Sequence, residues 1–94
     1  MKKVFISQPM RDKSSEQILR ERDGALAKIE EPFELIDTFF KDFDGNKLEF
    51  LGRSISLGLA KADVAVFIGN WQEYDGCRCE HFIASQYKIP CVYF

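Results

Sequence analysis

Residues 69–94 read GNWQEYDGCRCEHFIASQYKIPCVYF, and they follow the apolar run ADVAVFI at residues 62–68. The run is short and nearly unbroken, as a strand buried on both faces would be. Gly69-Asn70 ends it, residues 75–88 carry helical periodicity, and Cys91-Val92-Tyr93-Phe94 reads as a last short strand. Strand, helix and strand in that order form a crossover unit of a parallel sheet. At helical spacing Glu80 shares a face with Gly76, Ile83, Ala84 and Tyr87. That is the face such a helix lays on its sheet, so the carboxylate is badly placed for solubility alone. It is well placed for chemistry, because open α/β sheets bind ligands in the crevice beyond the carboxyl ends of their strands. The helix N-terminus is expected to favour its charged form. The plainer reading also stands: a carboxylate that caps neighbouring amides or pairs with Arg78 or Lys88.

Upstream, the same alternation continues. Residues 3–7, with Val4, Phe5 and Ile6 in a row, read as a first and central strand. Pro9 breaks it, and Gln8 to Lys13 form a loop with two cations, Arg11 and Lys13. Ser14, with Gln17 three residues on, fits a capping box that opens a helix running to about Ile29. Its inner stripe is Ile18, Arg22, Ala25, Leu26 and Ile29, with Arg22 the exception. Pro32 closes it, and Phe33 to Ile36 form a second strand. Residues 37–47 read as a loop with a turn signal at Asp44-Gly45-Asn46. Leu48, Leu51, Ile55, Leu59 and Ala62 mark a second helix, in which Gly52 and Gly58 weaken it or permit close packing. Five of the nine phenylalanines lie between Phe33 and Phe50. That exceeds what one short strand buries, so these rings line a pocket, form a subunit contact or cap one end of the core. The expected fold is a single α/β domain over residues 1–94, with four parallel strands and three helices.

Composition narrows the function classes. A chain of 94 residues has a thin core and exposes much of its surface, so self-association is expected, most simply as a two-fold dimer. Thirteen basic against 15 acidic residues leave a net charge of −2, which gives no electrostatic case for a nucleic-acid polymer or a polybasic membrane patch. No apolar run nears the ~18 residues of a membrane span. The opening MKKVFIS has the charge of a signal peptide but an apolar run of three, so a strand and a cytoplasmic location are expected. The odd cysteine count of three agrees with a reducing compartment.

Two further constellations have the residue types of a binding site. The loop from Ser7 to Ser15 leads from a central strand into a helix N-terminus, a junction that gathers backbone N–H groups for an anion. Arg11 and Lys13 add charge and Ser14 and Ser15 add hydroxyls, so a phosphate fits there; an ordinary capped turn with solvated cations fits too. Neither GxGxxG nor GxxxxGK[ST] is present. Cys77, Cys79, His81 and Cys91 lack the paired turn spacing of a zinc site, and no metal is expected. His81 sits about 100° round the helix from Glu80 and reads as a surface residue. Cys77, near a helix N-terminus, is a candidate low-pKa thiol without an evident base.

These residues also carry a resemblance. The chain resembles the nucleoside 2-deoxyribosyltransferase-like proteins, which include the 2′-deoxynucleoside 5′-phosphate N-hydrolases, and looks closest to a small phage and bacterial branch of them. The likeness spans nearly the whole chain. It rests on Val4-Phe5-Ile6-Ser7 with Gln8-Pro9-Met10-Arg11, on Ala62-Asp63-Val64-Ala65-Val66, and on Asp75-Gly76-Cys77-Arg78-Cys79-Glu80 followed by Ala84 and Ile89-Pro90-Cys91-Val92. The third block matches a family pattern of glycine, three variable residues and the catalytic glutamate. The resemblance implies a three-layer, flavodoxin- or Rossmann-like fold with strand order 2-1-3-4, and neither metal nor organic cofactor. Glu80 would attack C1′ of a deoxyribosyl group, a base would leave, and water or a second base would resolve the glycosyl-enzyme. The substrate would be a small nucleoside or nucleotide: Ser7, Gln8 and Met10 at the sugar, Arg11, Ser14 and Ser15 at a 5′-phosphate, and Asp75 and Gly76 beside the glutamate. Trp71, or a phenylalanine from residues 39–43, would cover the base. Two departures accompany the likeness. Family members carry an aspartate on the helix before the third strand, where this chain has Arg53-Ser54-Ile55-Ser56, and they borrow a residue from near the C-terminus of a neighbouring subunit, whereas this sequence ends at Phe94 directly after the last strand. A protein that holds a nucleotide or ribosyl ligand without turning it over is therefore the alternative, and a subunit completed by its partner a third reading.

Overall fold

The computed structural model of the chain describes residues 1–40 and 43–94. Strands β1 (Lys2–Ser7), β2 (Phe33–Leu35), β3 (Val64–Phe67) and β4 (Cys91–Tyr93) alternate with helices α1 (Ser15–Leu26), α2 (Lys47–Leu57) and α3 (Asp75–Gln86). All three strand pairs are parallel and the order is β2-β1-β3-β4, which is the α/β architecture and order expected. β1 is central because it pairs on both sides, with Lys2 opposite Phe33 and Val4 to Ser7 opposite Val64 to Phe67.

The pleat of β1 sorts the core into two layers. Val4 and Ile6 pack with Ala25, Val66 and Ile68 beneath α1. Phe5 points the other way, into Leu59, Ala65, Phe67 and Ala84 beneath α3. Phe5 and Phe67 are fully buried, each contributing roughly 1.5–3 kcal/mol by removal from water. The alternation runs on past the core. Ser7 falls on the side of Phe5, toward α3, and Gln8 on the side of Ile6, toward α1. The chain leaves β1 toward one edge of the sheet and β3 toward the other, so a crevice opens between their carboxyl ends.

Several boundaries differ from expectation. α1 ends at Leu26, short of Ile29, although Leu26 and Ile29 still pack on the core. α2 stops at Leu57, and a 3-10 turn over Leu59–Lys61 leads into β3, which starts at Val64 rather than at residue 62. Gly58 marks the break: a Cβ there would lie 2.6 Å from the Ser54 carbonyl oxygen and from Thr38, and 2.8 Å from Phe5. Of the two helical glycines it is therefore the one that permits close packing. α3 ends at Gln86, so Tyr87 lies beyond it and is 79% exposed instead of joining the inner face. Residues 41 and 42 of the loop expected over 37–47 lie outside the described residues. Around them, Phe40 and Phe43 stand edge-on to Phe50 at 5.5 and 5.3 Å, with the Arg53 guanidinium over both. The Asp44-Gly45-Asn46 turn doubles as a helix start. Asn46 caps α2 in a reciprocal box with Glu49, which satisfies two otherwise unpaired amides.

Candidate active site

A cleft of about 420 Å³ occupies the crevice. The loop after β1 forms one wall with Gln8, Pro9, Met10 and Arg11. α2 forms the second with Lys47, Phe50, Leu51 and Ser54, and the start of α3 the third with Tyr74, Asp75, Gly76, Cys77 and Glu80. A second groove, of about 440 Å³, lies over Val4, Val64 and Val66 beside α1, and no buried polar side chain lines it.

Glu80 is the chemical centre of the cleft. On α3 the buried positions are Cys77, Glu80 and Ala84, spaced three and four apart on the face that meets the sheet. Ala84 packs on Phe5, and Glu80 arrives one turn earlier, beyond the strand ends. There the Ser7 hydroxyl donates to Oε1 at 2.6 Å and the Ser54 hydroxyl donates to Oε2 at 2.8 Å. Each carboxylate oxygen thus receives one hydrogen bond, and the group is 6% exposed. Neither Arg78 nor Lys88 pairs with it; Arg78 bonds Asp75 and the Gln72 carbonyl instead.

Burial pushes the Glu80 carboxyl above its ordinary value, against the Ser7 and Ser54 hydroxyls and the more distant Arg22 charge, all of which pull it down. This corrects the expectation that the helix terminus would favour the anion. Glu80 is the sixth residue of α3, and the terminal dipole fades within the first turn while desolvation does not. The same physics removes Cys77 as a reactive thiol. It is 4% exposed, and burial pushes it up to about 11, with the neighbouring Ser7 hydroxyl opposing the shift and Glu80's charge adding to it.

Of the other residues expected at a site, Gln8, Met10, Arg11, Asp75 and Gly76 line the cleft with Glu80, and Ser7 holds its carboxylate. Arg11 lies over the Tyr74 ring, 4.9 Å from its centroid, at the mouth. Gly76 is exposed, and a Cβ on it would meet open space. Gln8 is present but engaged: its Nε2 donates to the Ile18 carbonyl at 2.6 Å and its Oε1 accepts from Arg22 Nε at 3.1 Å. The structure does not bring Ser14, Ser15 or Trp71 to the cleft. The Ser14 hydroxyl accepts from the Gln17 amide as the cap of α1, and Ser15 is exposed in the first turn. Trp71 packs at the carboxyl ends of β3 and β4 with Phe67, His81 and Tyr93, its ring 4.5 Å from that of His81. His81 is not a plain surface residue either, since its Nε2 lies 2.8 Å from the Tyr93 hydroxyl.

Sequence reasoning missed Ser54, Lys47, Phe50 and Tyr74. Ser54 had a signal, being the small polar residue one turn before Gly58 where an acid was sought. Phe50 belonged to the surplus of rings and is the one that reaches the cleft. Among the described residues no group of three or more His, Cys, Asp or Glu gathers as a metal site, and no helix is long and apolar enough to cross a membrane. Scans of family models, curated proteins and solved structures return no match for this chain.

Proposed function

We propose that the chain cleaves or exchanges the N-glycosidic bond of a deoxynucleoside 5′-monophosphate, with Glu80 as nucleophile, in the manner of the nucleoside 2-deoxyribosyltransferase-like proteins it resembles. The observation that carries this reading is a buried carboxylate lining a cleft, with each oxygen held by one serine hydroxyl and, among the described residues, no cation seated on it. Such a group is oriented but not neutralised, as a nucleophile at C1′ needs. The cleft volume suits a single nucleotide. Phe50 and Leu51 supply an apolar wall for base or sugar, and Arg11 and Lys47 supply positive charge for the phosphate. Tyr74, on the same cleft, carries a hydroxyl able to hand a proton to the leaving base. Attack by the Glu80 carboxylate forms the glycosyl ester as the C1′–N bond breaks. Water then releases the sugar phosphate, or a second base takes it.

A second reading keeps one observation of its own. Ser54, a hydroxyl, stands where the family's aspartate is expected, so the site would bind a nucleotide or ribosyl ligand without turnover. The discriminating experiment incubates the protein with a panel of nucleosides and 5′-monophosphates and measures free base by chromatography. Glu80→Gln should remain folded, keep ligand affinity within a few fold, and lose base release by several orders of magnitude. Tight binding with no release by the parent protein selects the receptor. A destabilised Glu80→Gln whose folded fraction still releases base removes Glu80 from the chemistry.

The proposal includes a cytoplasmic two-fold dimer. Leu48, Phe82 and Tyr87 are 73%, 63% and 79% exposed, apolar area that a monomer leaves in water. Light scattering at tens of micromolar should give twice the chain mass, and a monomer mass would count against it.

A further inference from the structure

Among the described residues two charged side chains are buried, Arg22 at 2% exposure and Glu80 at 6%. They come from opposite faces of the sheet, Arg22 from α1 and Glu80 from α3. Yet they make no direct ion pair. Arg22 Nε donates to Gln8 Oε1 at 3.1 Å, and NH1 lies 3.9 Å from the exposed Asp37 carboxylate. Its remaining nitrogen, NH2, is buried and has no hydrogen-bond partner among the described residues. A guanidinium kept only for its hydrogen bonds is expected to use its donors, because an idle buried donor costs stability.

We propose that Arg22 is a positioning residue for Glu80: its bond to Gln8, the neighbour of the Ser7 that holds Glu80, fixes the loop that follows β1, and its buried positive charge balances the buried carboxylate from across the sheet without occupying its oxygens. An isolated buried charge is costly, and an arginine cannot shed its own. Direct contact would lay a bidentate fork on the two carboxylate oxygens and block attack. At a distance the attraction weakens only as the inverse of separation, and in a poorly solvated site it persists. The groups facing Glu80 are Ser7 from β1, Ser54 from α2 and Cys77 from its own helix. Arg22 faces Gln8, Asp37 and, on its own helix, Asp23. Among the described residues Arg11 and Lys47 are the cations that line the cleft, and both are exposed. The Arg22 charge pulls the Glu80 carboxyl down, third after the two serines, and Glu80 in turn helps hold the arginine proton against burial, after Asp37 and Asp23.

The consequence for turnover rests on the nucleophile reading; the charge coupling does not, and the experiment separates them. The Glu80 carboxyl is titrated by carbon NMR in glutamate-labelled protein, assigned by its loss in Glu80→Gln. Arg22→Met, of similar reach but no charge, should move that titration to higher pH, and Arg22→Lys should move it less. Melting midpoints at about pH 8 should fall more for Arg22→Met alone than for Arg22→Met combined with Glu80→Gln. An Arg22→Met that folds only in the combined variant is the same result in extreme form. Base release, where the parent protein shows it, should drop more at acid than at alkaline pH for Arg22→Met, because the carboxyl then needs a higher pH to ionise. An unmoved Glu80 titration, an equal loss of stability in both backgrounds, or failure to fold in both would reduce Arg22 to a tether for Gln8 and overturn the proposal. A moved titration without base release from any substrate would leave it standing and sink the nucleophile reading instead.

Discussion

Ser54→Ala tests the geometry of the site most directly, because it deletes one oxygen and almost no volume. The Ser54 hydroxyl donates to Glu80 Oε2 at 2.8 Å, in a setting closed to water. A hydrogen bond to a charged group is worth about 1.5–3 kcal/mol, and one between neutral groups about 0.5–1.5 kcal/mol. The cost of the mutation should therefore depend on whether Glu80 is ionised. Glu80 is an acid whose carboxyl is raised in the folded chain, so the native state binds more protons than the unfolded one between the unfolded and folded pKa values. Stability from this group is greatest below the unfolded carboxylate range and falls as pH rises through the raised folded value. Removing Ser54 raises that value further and penalises the anion most. Urea melts of both proteins from about pH 4 to pH 8 should give a small difference at the acid end and about 1.5–3 kcal/mol at the alkaline end. In a domain of this size that loss lowers the midpoint of thermal melting by roughly 6–24 °C. The acid limb of any base-release profile should move to higher pH with it. A difference that is the same at every pH would mean that the hydroxyl does not serve the ionised carboxylate, and the reading of the site would fail with it.

Two further outcomes follow from the same geometry. Arg11→Ala should weaken binding of a 5′-monophosphate by roughly 1.5–3 kcal/mol in calorimetry, the range for bonds to charged groups, while a free nucleoside is nearly unaffected; equal losses would make Arg11 structural through its contact with Tyr74. In native protein at about pH 7.5 an alkylating reagent should modify the exposed Cys79 and spare Cys77, whose thiol is buried and pushed up to about 11; mass spectrometry of peptides showing Cys77 labelled first would contradict that placement.

Much of the fold was legible because it is written locally. Val4-Phe5-Ile6 and Val64 to Phe67 are apolar runs that suit strands covered on both faces, and the structure covers them on both. Helical spacing alone put Glu80 on the inner face of α3, since periodicity is a property of neighbours along the chain. Ser7 and Gln8 were legible at the end of β1, but not that they serve opposite faces, which depends on the register and pleat of β1. Helix ends were less legible. α2 ends at Leu57, and the Gly58 after it leaves no room for a Cβ because Thr38 and Phe5 crowd it, neither of them near it in sequence.

What holds Glu80 was decided by the tertiary structure. Its two hydroxyl partners lie 73 and 26 residues away along the chain, and no local pattern relates Ser7, Ser54 and Glu80 until the parallel sheet brings their elements to one edge. Burial then reversed two expectations drawn from the helix terminus, raising both the Glu80 carboxyl and the Cys77 thiol, because desolvation depends on what surrounds a group rather than on its position in a helix. Trp71 was drawn to the Phe67, His81 and Tyr93 rings instead of the cleft, since it follows β3 on the side where β4 ends. Arg22 stood out in the sequence as a charge in an apolar stripe. Its sequence position carried the anomaly, and only the packing of α1 against the end of β1 supplied a reason for it.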